Sequence, residues 1–140
     1  MTPGGSVPDL FVGFGCRRGC PVEELASLLT QTLQARGWSM ARLAGLASVT
    51  LKADEPGLRA LAERLALPLH AFDPHALHAF DSQLTHRSPA AWRATGCWGV
   101  AEGAALALAY HRAGAARLIV PRAASAQATL AMACHPSFTG

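Results

Sequence analysis

Apolar positions along this chain alternate between short unbroken runs and longer stretches at helical spacing. The run Leu10-Phe11-Val12, flanked by Asp9 and Gly13, shows no polar alternation and predicts a strand over 9–13 covered on both faces. After it, Val22, Leu25, Leu28, Leu29, Thr32 and Leu33 recur at the period of a helix with one buried stripe. Pro21 suits the first helical position, Glu23 and Glu24 the positively polarised end, and Gly37 the stop. Residues 43–51 predict a second strand. Glu55-Pro56-Gly57 opens a second helix with Leu58, Leu61, Ala62 and Leu65 inward, and 68–72 is a short third strand.

The second half changes rhythm. A short helix is predicted from Asp73-Pro74 to Phe80, then a polar connection over 81–89. Helices over 90–95 and 100–111 flank Gly96-Cys97-Trp98-Gly99, and strands over 117–120 and 128–133 lie close enough to form an antiparallel hairpin. The expected fold is α/β: a single three-layer domain with a mixed, mainly parallel sheet, right-handed crossovers and a C-terminal antiparallel hairpin. It should occupy 9–135, with tails at 1–8 and 136–140.

Composition narrows the class. With 51% apolar and 15% charged residues in 140, the chain is expected to fold and bury a core. The apolar run over 100–110 is interrupted by Glu102 and is too short to span a bilayer, and residues 1–6 lack the features of a signal peptide. A cytoplasmic protein without a membrane partner is expected. The net charge of +3 is mild and no basic run occurs, so nucleic acid is not an expected partner. Lys52 is the sole lysine; every other basic residue is arginine. Cys16, Cys20, Cys97 and Cys134 form no CxxC pair and the histidines no HExxH pair, so reduced thiols and no metal or other cofactor are expected.

One segment carries a chemical suggestion of its own. Gly13-Phe14-Gly15-Cys16-Arg17-Arg18-Gly19 joins the first strand to the first helix. Backbone N–H groups over 15–20, a helix N-terminus and two guanidinium groups would together favour a carboxylate or phosphate. The spacing of Gly13, Gly15 and Gly19 departs from GxGxxG and no Walker pattern is present, so a nucleotide-binding module is the weaker reading.

Further segments recur with this turn: Ala47-Ser48, then Leu51-Lys52-Ala53-Asp54-Glu55-Pro56-Gly57-Leu58, then Ser88 and Gly96, Val100-Ala101-Glu102-Gly103-Ala104-Ala105-Leu106, and Ala128-Thr129-Leu130-Ala131-Met132-Ala133. In this order they resemble the cobalamin-biosynthesis family that contains CobE and the C-terminal domain of CbiG, from about Leu10 to Ala133. The resemblance implies a small α/β domain. In CbiG the domain follows an N-terminal region of a cobalt-precorrin-5A hydrolase, which opens a δ-lactone and releases acetaldehyde; in CobE it stands alone. With little sequence before Leu10, the stand-alone form is expected.

The resemblance implies a precorrin or corrinoid ligand, a flat macrocycle rimmed with carboxylates, and other cobalamin-pathway enzymes as possible partners. Spaced cations would then meet the rim. Gly13, Gly15, Cys16, Arg17, Arg18, Gly19, Lys52, Ser88 and Arg122 are the candidate ligand-binding residues, with one of Arg17 and Arg18 expected to reach the ligand. Relatives often carry lysine between the last two strands, where this chain has Arg122, which keeps the charge but not an amine. Lys52 and Glu102 are the candidate catalytic residues if the domain is instead a hydrolase acting on a lactone-bearing precorrin. Each residue also has a plainer reading. Glu102 would be a buried carboxylate paired with Arg17, Arg18 or Lys52, or a residue complementing its helix dipole. Cys16 would be a thiol of depressed pKa acting as nucleophile, or a small packing residue. Ser88 would bind a ligand oxygen or cap a helix. Asp54 and Glu55 would join the site or cap the second helix, and Trp92 and Trp98 would stack on a macrocycle or pack in the protein.

Overall fold

The computed structural model describes residues 8–52 and 54–137, so the expected tails fall largely outside the described residues. Five strands form one sheet in the order β3-β2-β1-β5-β4: β1 (Leu10–Cys16), β2 (Leu43–Val49), β3 (Leu69–Phe72), β4 (Arg117–Ala124) and β5 (Ala128–Cys134). β1, β2 and β3 run parallel, and β5 is antiparallel to both neighbours. The mixed sheet with its C-terminal hairpin is the expected one.

Pleating of β1 assigns its two faces. Leu10, Val12 and Phe14 point to the side covered by α1 (Val22–Arg36) and α2 (Pro56–Leu65), where Leu25, Leu28, Leu29, Leu33, Leu58 and Leu61 are buried. Phe11 and Gly13 point to the side covered by α5 (Val100–Ala113), whose residues from Val100 to Ala109 are all buried. Gly13 permits that close approach. A Cβ there would lie 2.0 Å from the Ala101 carbonyl oxygen and 2.6 Å from the Ala105 nitrogen.

The remaining elements are short. α3 (Pro74–Leu77) continues as a 3-10 stretch through Gln83, and α4 (Pro89–Thr95) precedes the Gly96–Gly99 break. Asp73 and Ser88 cap α3 and α4, accepting from the His75 and Ala91 N–H groups.

Three boundaries differ from the sequence expectation in ways that shape the site. β1 runs on to Cys16, because Gly15 and Cys16 still pair with Thr129 and Ala128 of β5. β2 ends at Val49, and Lys52 belongs to a 3-10 turn in which Leu51 is 62% exposed. A strand residue flanking a sheet between two helical layers would be covered, so that exposure marks where the chain leaves the sheet. β4 extends to Ala124 and places Arg122 inside a strand rather than in the connection. Pro121 is tolerated there because β4 is an edge strand.

Phe11 of β1 pairs with Ala133 of β5, so the start of β1 and the end of β5 lie side by side. The opposite end of these strands holds the site.

Candidate functional site

At the C-terminal end of β1 a cleft of about 310 Å3 opens between the sheet, α4 and the start of α5. Parallel strands place loops and helix starts at this end, which is where ligands bind in α/β sheets. Gly15 and Cys16 line it from β1, Arg17 from the turn after β1, Lys52 from the turn after β2, Arg122 from β4, and Ser88, Trp98 and Glu102 from the helical side. Arg17 and Arg122 are exposed and Lys52 half-buried, so the mouth carries three cations. Ala91, Ala94, Trp98 and Val100 give its walls an apolar surface.

The first turn of α5 adds to this polarity. Its N-cap is Gly99, with no side-chain hydrogen bond, and the first intrahelical bond of the turn comes from Gly103 N–H to the Gly99 carbonyl. Val100 and Ala101 both line the cleft, so the positive end of a fourteen-residue helix opens into it. In sequence, Gly96-Cys97-Trp98-Gly99 was legible only as a break between helices.

Glu102 organises the walls. It is 1% exposed, and its carboxylate accepts from Thr85 N–H at 2.8 Å, His86 N–H at 3.2 Å, Arg122 N–H at 2.9 Å and the Thr85 hydroxyl. The β4–β5 register shifts between Val120 and Ala123, a bulge that turns the Arg122 N–H toward α5. One carboxylate thus joins α5, the 81–89 connection and β4. Of its two sequence readings, the pair with Arg17, Arg18 or Lys52 is not formed, whereas Glu102 does lie in the first turn of α5; the buried charge is compensated by backbone and hydroxyl donors. Burial pushes the Glu102 carboxyl up, and those donors outweigh it and hold the group below the ordinary carboxylate range.

The family model described as Cobalamin synthesis G C-terminus matches residues 10–133. The chain belongs to this cobalamin-biosynthesis family. Protein CobE from a Sinorhizobium species is 40% identical over 124 residues, covering 89% of this chain and 79% of that protein. The crystal structure of CobE, a protein from the cobalamin (vitamin B12) biosynthetic pathway, superposes with a TM-score of 0.86 at 45% identity, covering 92% of each chain. Cobalt-precorrin-5A hydrolase of Salmonella typhimurium is 42% identical over 76 residues, covering 54% of this chain and 22% of that enzyme, so the match spans about a fifth of the hydrolase. This chain is therefore a cobalamin-biosynthesis protein of the CobE and CbiG C-terminal type. Among the described residues no helix is long and apolar enough to cross a membrane.

In this member of the Cobalamin synthesis G C-terminus family, the glycine-arginine turn does not form the backbone anion cradle expected of it. Arg17 N–H donates to the Gln127 carbonyl, Cys20 N–H to the Arg17 carbonyl, and Gly19 N–H to Glu55 Oε1 at 2.9 Å. These three amides are spent holding the turn in place. In the first turn of α1 the Glu24 carboxylate accepts from Gln127 N–H at 2.6 Å and from the Ser125 hydroxyl. Gln127 is braced by Glu24 and in turn braces Arg17, so Arg17 stands on a fixed turn.

Seven of the candidates, Gly15, Cys16, Arg17, Lys52, Ser88, Glu102 and Arg122, come together at the cleft, whereas Gly13, Arg18 and Gly19 do not line it. Gly13 lies under α5, and Gly19 serves the turn with a φ of 78°. Ser88 Oγ caps α4, accepting from Ala91 N–H at 3.1 Å, and so reaches a ligand only with its remaining capacity. Trp92 and Trp98 stack on each other, ring centroids 4.9 Å apart, and Trp98 turns its other side to the cleft wall. Asp54 sits 3.6 Å from Arg59 at the surface, and Glu55 is the tie to Gly19. Thr129 and His86 also line the cleft and were not singled out in the sequence. Thr129 could have been found from the pairing of β5 with β1, which sets it opposite Gly15.

Of the two sequence readings of Cys16, nucleophile or packing residue, the structure favours packing. Burial, with the neighbouring Cys20 and Glu55 adding to it, pushes the thiol up to about 11, although Lys52 pulls the other way. A thiol with that pKa is almost wholly protonated near neutrality and a poor nucleophile. Cys20, Cys97 and Cys134 are buried, so alkylation of the folded protein reads Cys16. Iodoacetamide should label it on the order of a hundredfold more slowly than free cysteine at neutral pH; labelling at the free rate would restore the nucleophile.

Proposed function

We propose that the cleft binds a precorrin or corrinoid intermediate by the carboxylates on its rim and holds it without covalent chemistry, as a carrier does. Arg17, Lys52, Arg122 and the open end of α5 meet carboxylates, and Trp98 with the alanines of α4 offers an apolar wall to the ring. The observation that carries this reading is the convergence of three cations from three separate strand ends on one apolar-walled cleft. At about 310 Å3 the cleft lies at the small end of ligand sites, so it takes one edge of a large macrocycle and leaves the rest accessible. An accessible remainder suits transfer to a pathway enzyme, the partner class this reading implies.

Two features weigh against the hydrolase alternative. Cys16 is a protonated thiol, and Glu102 has its oxygens occupied by four donors and so serves as a strut, not a proton carrier. Lys52 is the remaining candidate for acid–base work, and in this reading it is a carboxylate contact.

Co-purification from cells accumulating successive pathway intermediates tests the proposal. A carrier acquires the ligand's visible absorption and leaves its mass unchanged; a hydrolase changes the mass and frees a two-carbon fragment. Arg17→Ala, Lys52→Ala and Arg122→Ala should each weaken retention about tenfold, the loss of roughly 1.4 kcal/mol from one charged contact. Arg18→Ala should leave it unchanged. Equal losses at Arg17 and Arg18 would mean that general surface charge, not this cleft, holds the ligand.

A further inference from the structure

The 81–89 connection places a histidine in the cleft through a chain of hydrogen bonds whose direction can be worked out. Thr85 Oγ1 lies within hydrogen-bond distance of both the Glu102 carboxylate and, at 2.8 Å, His86 Nδ1. The hydroxyl has one proton to give. Glu102 accepts three backbone N–H bonds, an environment that keeps it ionised and leaves it no proton to donate. The Thr85 proton therefore goes to Glu102, and Thr85 Oγ1 accepts from His86 Nδ1–H. In the neutral ring this leaves Nε2 as a bare acceptor. Nε2 has no protein partner among the described residues, and the side chain is 51% exposed at the cleft wall.

We propose that His86 is a fourth carboxylate-binding side chain of the cleft, engaging a ligand carboxylate through Nε2 with the uptake of one proton from solvent. The proposal rests on the reading of the cleft as a carboxylate-rim site and adds a titratable contact to it. The groups facing the ring set its behaviour. Glu102 lies 3.8 Å from Nδ1, and the Thr85 oxygen accepts from Nδ1–H in either charge state. Arg17 from the turn after β1, Lys52 from the turn after β2 and Arg122 from β4 oppose a further positive charge while the cleft is empty. Cys16 is a neutral thiol and contributes no charge. On its own segment, the Arg87 guanidinium donates to the Asp81 carbonyl at 2.7 Å. A bound carboxylate offsets the three cations and gives Nε2–H an acceptor, so ligand and proton bind together. Histidine is the side chain that titrates between about pH 5 and 8, where such coupling is felt.

Two measurements decide the matter. Nitrogen-15 NMR of histidine-labelled, ligand-free protein at mildly alkaline pH should find His86 in the Nδ1–H tautomer, the minor form of free histidine. Thr85→Val should return it to Nε2–H. Calorimetric titration with uroporphyrin, a flat tetrapyrrole rimmed with carboxylates, in buffers of different ionisation enthalpy should show about one proton taken up per ligand. The wild-type Kd should rise with pH, by up to about tenfold per unit where binding takes up a proton. His86→Gln should still bind but lose both the proton uptake and this pH dependence. Binding without proton uptake, or His86 in the Nε2–H tautomer, overturns this proposal and leaves the cleft reading standing. No uroporphyrin binding at any pH overturns both.

Discussion

Replacing Glu102 with alanine is expected to lower the free energy of unfolding by about 3 kcal/mol or more. The carboxylate satisfies three backbone N–H groups and one hydroxyl, and alanine leaves all four without their acceptor at a site that is 1% exposed. Thr85 and His86 recover part of the loss by turning to water; Arg122 N–H, held inside the β4 bulge, recovers less. Glu102→Gln keeps the shape but points an NH2 group at a ring of donors, and should lose about 2 kcal/mol. Urea unfolding followed by circular dichroism measures both through the shift in midpoint at constant slope. A Glu102→Ala midpoint equal to wild type would show that the strut is dispensable.

The same contacts make a prediction about acid. The folded Glu102 pKa lies below its unfolded one, so its stabilisation is fully present above the ordinary carboxylate range and is lost as the pH falls through the depressed folded value. Wild-type stability should therefore decline below about pH 4 more steeply than that of Glu102→Gln. Parallel decline in the two proteins would mean that other carboxylates dominate acid unfolding.

Gly13→Ala is expected to cost about 3 kcal/mol, the upper end of overpacking penalties. The added methyl would meet the backbone of α5 at 2.0 Å and 2.6 Å, and a helix backbone cannot rotate aside as a side chain can. Either β1 bends or α5 lifts. Ala101, whose carbonyl is struck, is adjacent to Glu102, so lifting the helix also loosens the strut and the cleft wall. Gly13→Ala should thus lose stability and ligand retention together, whereas Arg17→Ala loses retention alone. Thermal unfolding alongside the retention assay separates the two; a Gly13→Ala protein of wild-type stability that fails to retain ligand would return Gly13 to the binding residues.

The sheet and its covering helices were legible because their signals are local. Unbroken apolar runs, helical periodicity and the glycine and proline punctuation sit within a few residues of each element. The cleft was legible in its cations and not in its construction. Arg17, Lys52 and Arg122 stood out as charges near strand ends, but nothing near Glu102 in sequence announces Thr85 and Arg122 as its partners. That association depends on a bulge at an edge strand and on the irregular segment that follows the 3-10 stretch, both set by tertiary packing. Choosing between the two readings of Cys16 needed the fold for a related reason. The flanking arginines suggested a depressed pKa, while burial, which the local sequence does not display, raises it. Gly13 likewise shares the composition of a ligand-cradling turn, and only the crossing of α5 reveals it as a packing position.

The antiparallel pairing of β1 with β5 has a consequence for how this module is used in longer proteins. Phe11 lies beside Ala133, while Cys16 lies beside Ala128 at the cleft end. A polypeptide joined before β1 or after β5 therefore attaches at the base of the sheet, a full strand length from the mouth. Fusion at either end leaves the entrance clear. One architecture can then be a free-standing unit or a component of a larger enzyme without rebuilding its site, and a circular permutant joining the two ends should keep its cleft.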